Sequence, residues 1–572
     1  MPRKSALVWI TVSTLVSACA EGGPSGPEPP LPVDCSIAYI VALAPGQHTI
    51  VDPRLAGSCL HFPDPGGTEA EYEVAAVSGA GVVTALGVSE SYLLQAVSDG
   101  AVPALEREVI DLAEGARLSA FQRNDPAAEF HLRLRRMEAM AASLPAATLG
   151  TPEAAYRISP PDLGHQRTFK VCSNTACSST TNVPSTAVYV GARGAMYLDD
   201  DVPENGFTPA QIAEAGQLFD GTSPNMYGID TAAFGRESDI DANGVVVILL
   251  TDAVNALSPN CNFTGSRVVG YFYGLDLLPG SATASNGAEV FFSAVADPGN
   301  PNCSVSSGTA LRTLGPTFLH EFQHMISFNQ HRLIRGSTQP ELTWLNEGLS
   351  HFAEELGGRQ LPNNGIALGD APDRFTQFHI NNFANAFDYL VATEENFLIT
   401  PDASTGTLEE RGAGWLFVRW LADQFGGGGN GTSFTRAVVQ TGRVGQDNVE
   451  HVTGEPFDRV VSQWQLANYL DDLPGFTPST TRLRYTSWDL RDAFADWHAS
   501  RPSTFPLAFP LQPDESDGGS YSRSGVLRGG SGTHLNLVQP AGSGFTQLTL
   551  TTAGGNALST AIVSRLAVAR IR

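Results

Sequence analysis

The period of the apolar residues changes along the chain, and each change marks a unit. Over 35–102, short apolar runs at 37–43, 72–77 and 81–86 alternate with Pro/Gly turns, which predicts a small N-terminal β-domain of sandwich type. From 103 to about 150 the spacing turns helical, with a basic knot at Leu132-Arg133-Leu134-Arg135-Arg136. That stretch reads either as a linker helix with a solvated charged face or as part of a pro-segment over 35–150, cleaved near the knot. Strand-like runs return at 167–171, 187–190 and 195–198, followed by a helix over 208–219 and an apolar strand at 245–250. Beyond 372 the chain is mainly helical to 473, most clearly at 413–425 and 456–470. Residues 476–519 read as a linker, and 520–572 alternate in short strands between Gly-rich turns, predicting a C-terminal β-domain. The expected fold is therefore α+β and multidomain. A central unit over 151–475, β-rich first and helical after, is flanked by β-sandwich-like domains.

Two central helices carry the chemistry. Pro316, after Gly315, suits a first turn, and Phe318, Phe322, Met325 and Ile326 recur at helical spacing. Thr338-Gln339-Pro340-Glu341 has a capping-box pattern and opens a second helix that stops at Gly357-Gly358; a polar loop from Gln330 to Gln339 joins the two. The first helix contains His320-Glu321-Phe322-Gln323-His324, in a chain with only twelve His. Residues four apart share a helix face, so His320 and His324 can offer two imidazoles to one metal beside Glu321. Glu347, in Trp344-Leu345-Asn346-Glu347-Gly348, is the candidate third ligand, completing a His2Glu set that leaves one position to water. His351 and Glu354 follow Glu347 at four and seven residues, either orienting a ligand or lying on the surface. The bland alternative is an amphipathic helix with two His and a Glu facing solvent.

The segments HEFQH and TWLNEGLSHFAEEL resemble the gluzincin metallopeptidases over roughly 309–356. The region is closest to the hyicolysin-like family, and WLNEG resembles the aminopeptidase N-like family. The resemblance implies a zincin-type catalytic domain over 151–475, with His320, His324 and Glu347 as Zn2+ ligands and Glu321 as general base. It also implies a protein or peptide substrate. Two departures stand out. The spacer 325–346 is slightly long, and the later segment 408–415, Leu-Glu-Glu-Arg-Gly-Ala-Gly-Trp, lacks the Tyr that aminopeptidase-like enzymes place before a Lys-Gly pair. The transition-state partner is then sought among Tyr389, His351, Tyr271 and Tyr273. Metzincins would need Gly at 327 and His at 330, where this chain has Ser327 and Gln330; His331 is expected at a fraying helix end. Residues 289–293 are expected as the edge strand beside the cleft, where gluzincins pair the substrate backbone. Gly287-Ala288-Glu289 only faintly echoes the aminopeptidase motif, which favours an endopeptidase. The alternative is a surface adhesin or scaffold that keeps the fold with little turnover.

Composition adds a compartment. Arg3 and Lys4, an apolar run over 6–16 and small residues before Cys19 resemble a lipoprotein signal over 1–18, with lipid on Cys19 and a Pro/Gly-rich tether over 19–34. A plain signal peptide is the alternative. The protein is then expected to be exported, anchored to a bacterial membrane facing the periplasm or the exterior, and monomeric. The other six Cys fall as local pairs, Cys35–Cys59, Cys172–Cys177 and Cys261–Cys303, which an exported chain oxidises to disulfides. A formal charge of -25 excludes a nucleic-acid partner, and 572 residues with 42% hydrophobic content suffice for several cores. Asp239, Asp241 and Asn243 before Gly244 look like the first half of a Ca2+ loop, but Leu250 stands where the closing Glu belongs. A tight polar turn is the competing reading.

Overall fold

A computed structural model describes residues 31–99, 126–143, 160–264, 267–278, 285–361, 373–516 and 518–572. The expected signal segment, Cys19 and the tether up to residue 30 lie outside the described residues, as do 100–125 and 144–150 of the expected pro-segment and 151–159 of the expected central unit. Among the described residues no helix is long and apolar enough to cross a membrane.

The strands run β1 (Tyr39–Ile40), β2 (His48–Val51), β3 (Cys59–Phe62), β4 (Ala70–Ser78), β5 (Ser89–Ser98), β6 (Gln166–Cys172), β7 (Thr180–Val190), β8 (Gly194–Asp199), β9 (Val246–Leu250), β10 (Gly270–Phe272) and β11 (Val290–Ser293). Near the C-terminus follow β12 (Asp514–Ser516), β13 (Ser520–Arg528), β14 (Gly532–Gln539), β15 (Thr546–Thr551) and β16 (Ser564–Arg570). Strands are found at both ends as the alternation predicts, but they do not form separate domains. They interleave in two five-stranded sheets, β1-β3-β15-β5-β13 and β12-β14-β4-β16-β2. Phe62, Val74, Leu94, Leu535, Leu548 and Leu566 fill one core between them. Alternation fixes which face of a strand is buried but not which strand lies beside it, so the shared sandwich is invisible to period.

The central sheet has the order β10-β11-β9-β8-β7-β6. All five residues of β9 are buried, as expected for a continuous apolar run between the parallel neighbours β8 and β11. Residues 290–293 are thus an interior strand. The edge on that side is β10, antiparallel to β11 with Phe272 opposite Phe291, and β6 is the other edge.

The helices that build the site are α1 (Pro126–Ser143), α2 (Pro209–Asp220), α3 (Met226–Phe234), α4 (Ser307–Phe328), α5 (Thr343–Gln360), α6 (Asp373–Val391), α7 (Leu408–Phe425), α8 (Phe457–Leu470) and α9 (Leu490–Ser500). The N-cap of α4 is Ser306, whose side chain accepts from Thr309 N–H, so Pro316 sits inside the helix rather than in its first turn. At its end the helix widens into a π turn over Asn329–Ile334, so the expected polar loop begins only at Arg335. The π turn buries His331, whose Nδ1 lies 3.1 Å from the Ser327 carbonyl; no fraying end is present. α5 begins at Thr343 with Leu342 as N-cap, so the Thr338 capping box does not form. Glu341 instead accepts from the N–H groups of Leu342 and Gly445. Capping boxes do form elsewhere, joining Thr208 and Gln211 at the start of α2 and Thr407 and Glu410 at the start of α7. The segment read as a linker over 476–519 contains α9, whose Phe494 and Trp497 are fully buried in the main core.

Glycines bring the helices close enough to build a site. A Cβ at Gly348 would lie 2.8 Å from the Gly414 carbonyl oxygen, and one at Gly412 would lie 2.3 Å from Asn385 backbone. α5, α6 and α7 therefore meet backbone to backbone, and the residues beside those glycines, Glu347 and Arg411, face one another. All three expected disulfides are formed.

Candidate metal centre

α4 and α5 bring His320, His324 and Glu347 into one group, with one ligand atom from each within 4.8 Å of the others. His320 Nε2 lies 3.5 Å from Glu347 Oε2, and His324 Nε2 lies 3.6 Å from Oε1. Around a tetrahedral ion with bonds of ~2.1 Å, donor atoms sit ~3.4 Å apart, so this donor set fits zinc in both chemistry and spacing. The other nitrogen of each imidazole is held from behind. His320 Nδ1 is 2.8 Å from Glu354 Oε1, and His324 Nδ1 is 3.2 Å from Ser350 Oγ, which itself donates to Gln323. With Nδ1–H directed at those acceptors, each Nε2 faces Glu347, that of His320 becoming a metal donor once the proton it carries in the metal-free chain is displaced.

The charges are tuned against burial. Desolvation disfavours the His320 imidazolium, but hydrogen bonds to Glu347 and then Glu354 outweigh it and raise its pKa to about 10. His324 is pushed well below its usual value, by burial first and then by Arg135. Burial would raise Glu347, yet Arg411 and the two His hold it well below the carboxylate range. Without metal, a protonated His320 supplies positive charge between Glu347 and Glu354.

Glu321 is directed at the edge of the sheet. Its Oε2 accepts from Phe272 N–H at 2.8 Å, and burial raises its carboxyl above the usual range. Beyond β10 lies α1, where Arg135 Nη2 donates to the Phe272 carbonyl (3.3 Å) and Glu138 Oε1 accepts from Gly274 N–H (3.0 Å). The knot at 132–136 is thus not a uniformly solvated face: Arg135 is buried and paired with Glu138 at 3.1 Å, while Arg133 and Arg136 are exposed.

Of the residues considered as transition-state partners, His351 reaches the cluster. Its ring centroid is 5.1 Å from that of His320, and its Nδ1 is 3.2 Å from Glu354. Tyr389 does not: its hydroxyl accepts from Gln465 and its ring stacks on Trp464. The Tyr271 hydroxyl accepts from Cys172 N–H. Tyr273 precedes a turn in the field of Asp276 and Glu138. Sequence reasoning passed over Arg411, whose Nη1 is 3.9 Å from Glu347 Oε2 and whose buried Nε has no hydrogen-bond partner. The available signal was the Arg411-Gly412 pair in the place of Lys-Gly. Ser350 was also missed, although it follows Glu347 by one helical turn.

Asp239, Asp241 and Asn243 form the polar turn, with Gly244 N–H on Asp239 and Val245 N–H on Asn243. Glu289, just before β11, accepts from the Ser238 hydroxyl and the Ile240 N–H and joins Asp239 and Asp241 within 4.8 Å.

No family model matches the chain. Among solved structures, an M1 zinc metallopeptidase from Deinococcus radiodurans is 15% identical with a TM-score of 0.28, covering 55% of this chain and 54% of that one. A mutant M1 zinc metallopeptidase from the same organism, bound to a Tyr-Ser-Ala substrate, gives the same identity and score over 50% of this chain and 55% of that one. Among curated proteins, the neutral metalloprotease ShpI of Staphylococcus hyicus is 30% identical over 160 residues, 27% of this chain and 33% of that protein. The chain thus spans a third of the length of that relative, and over that span it is related to a metalloprotease.

Proposed function

We propose that the chain is an exported zinc-dependent metalloendopeptidase with Glu321 as general base, held at a bacterial membrane by lipid on Cys19. The observation that carries the reading is the convergence of His320, His324 and the Glu347 carboxylate beside Glu321, which is itself tied to an edge strand. His320, His324 and Glu347 would hold the zinc, which would supply Lewis acidity to the peptide carbonyl and to the attacking water. Glu321 takes the proton of the attacking water and returns it to the leaving amine as the C–N bond breaks; its raised carboxyl pKa suits both transfers. Arg411 takes the part of the missing Tyr, turning its unpaired guanidinium N–H toward the oxygen that becomes negative. Endopeptidase action is favoured because Glu289, the echo of the amino-terminus-binding Glu, is occupied by Ser238 and Ile240.

The test is zinc content and casein cleavage by the chain from residue 20, beside Glu321→Gln. One zinc in both proteins, with cleavage lost only in the variant, is expected. Cleavage retained by Glu321→Gln would remove Glu321 from the reaction, and absence of zinc would remove the metal site. Calcium at Asp239, Asp241 and Asn243 is a separate proposal, supported by Glu289 standing in for the absent closing Glu with its Oε2 buried and unpaired. Calcium is expected to raise the Tm of the chelator-treated chain, and Glu289→Gln to remove that rise.

A further inference from the structure

Both outward-facing main-chain groups of Phe272, in β10, are already in use. In an antiparallel edge strand alternate residues turn both N–H and C=O away from the sheet. Tyr271 lies opposite Phe292, and Val269 pairs inward by accepting from Ala294 N–H, so Gly270 and Phe272 face outward, and Gly274 opens the 3-10 turn just past the strand. The Phe272 N–H is held by Glu321, its carbonyl by Arg135, and the Gly274 N–H by Glu138. Arg135 donates where the N–H of an extended peptide would, and Glu138 accepts where its carbonyl would.

The rest of α1 agrees with this placement. Phe130 packs edge-on against Tyr271 of the same strand, with centroids 4.9 Å apart, and both Phe130 and Leu134 are fully buried. His131 lies in the field of Arg411, Glu347 and His320, kept neutral by burial and then by Arg411. Glu321, His324 and Glu347 are each no more than 4% exposed.

We propose that β10 is a docking edge for an extended polypeptide and that α1 is its intramolecular occupant, so that this conformation is latent and a substrate enters only when α1 leaves. The occupant is held by a fastening of modest net strength. A buried ion pair such as Arg135–Glu138 loses in desolvation much of what it gains in attraction, and the face of α1 bearing Arg133, Arg136 and Met140 is exposed. This rests on the peptidase reading for the identity of the cleft but not on turnover.

The test is binding of fluorescein-labelled casein to the full chain carrying Glu321→Gln, with and without Arg135→Ala/Glu138→Ala. A second variant, Leu134→Asp, puts a charge at a buried position of the same helix face and leaves β10 untouched. Zinc content and Tm serve as fold controls. At least tenfold tighter binding is expected in both variants, together with faster amide exchange at Gly274. Equal binding in folded, zinc-loaded variants overturns the proposal, as does no casein binding by any of them. If the variants bind more tightly but neither cleaves casein once Glu321 is restored, occlusion stands and the peptidase reading falls. If casein is bound and cleaved equally with and without the substitutions, the peptidase reading stands and occlusion falls.

Discussion

Glu354→Ala is expected to weaken zinc binding without touching a proposed ligand. Its Oε1 lies 2.8 Å from His320 Nδ1, in a buried setting where His351 also approaches it at 3.2 Å. A hydrogen bond to a charged acceptor contributes roughly 1.5–3 kcal/mol. At about 1.4 kcal/mol per decade this is about 10–100-fold in affinity, the range found when groups behind metal ligands are removed. Ser350→Ala removes a longer, neutral contact to His324 (3.2 Å), so a loss of only about 2–10-fold is expected. The order Glu354 above Ser350 is thus a consequence of charge and distance. Titration of metal-free protein against a fluorescent zinc chelator measures both, with Tm as a control for the cavity left behind. If Glu354→Ala folds and binds zinc as tightly as the parent, or if Ser350→Ala is the more damaging, Nδ1 anchoring is not what sets the site.

Other expectations follow from neighbouring groups. Arg411→Met is expected to lower kcat about 10²–10³-fold with zinc content unchanged; undiminished turnover would remove it from the transition state. Zinc must displace the His320 proton, which the metal-free chain releases only as pH rises through about 10, so affinity is expected to rise about tenfold per unit between about pH 6 and 8. A flat profile in chelator competition would refute that. Glu355, next to Glu354, receives the indole N–H groups of Trp415 and Trp488 and pairs with Arg359 and Arg419. Glu355→Ala takes the acceptor from both indole N–H groups and the carboxylate from Arg359, while Arg419 keeps Asp423 at 2.8 Å, and it is expected to cost about 3–5 kcal/mol by urea unfolding. Burial opposes the Glu355 charge, but Arg359 and then Arg419 outweigh it and lower its pKa to about 2. Its stabilisation is therefore present above the unfolded pKa of about 4.5 and lost as pH falls toward about 2, and Glu355→Ala should lose less stability on acidification than the parent.

What sequence could show divides along a physical line. Helical spacing put His320 and His324 on one face, and the i, i+7 relation put Glu354 on the face of Glu347, because both are properties of one helix. Arg411 was not legible from helical spacing, and only the Arg411-Gly412 pair hinted at it, since its approach to Glu347 depends on Gly348 meeting Gly414 between two helices. Pro316 misled for a related reason. Its preference for a first turn is real, but packing of Phe318 and Phe322 and the Ser306 cap carry the helix through it. The edge strand was misassigned because β11 has the longer apolar run, and that apolarity marks an interior strand rather than an edge.

The interleaved sandwich changes what processing of this chain would mean. A pro-segment over 35–150 would carry β1 to β5 away, leaving β14 and β16 without β4, and β13 and β15 without β5. Removal of that whole block would therefore expose strand edges and split a core, and it is disfavoured by packing alone. A single cut between Ser98 and Gln166 has a different outcome. The N-terminal piece stays paired to the C-terminal strands along both sheets, while α1 loses one of its two covalent tethers. Such a nicked protein is expected to run as one species on gel filtration and as two on a denaturing gel, with the polypeptide-docking edge opened. If cutting there instead releases residues 31–98 under native conditions, the sandwich is not the clamp its pairing describes.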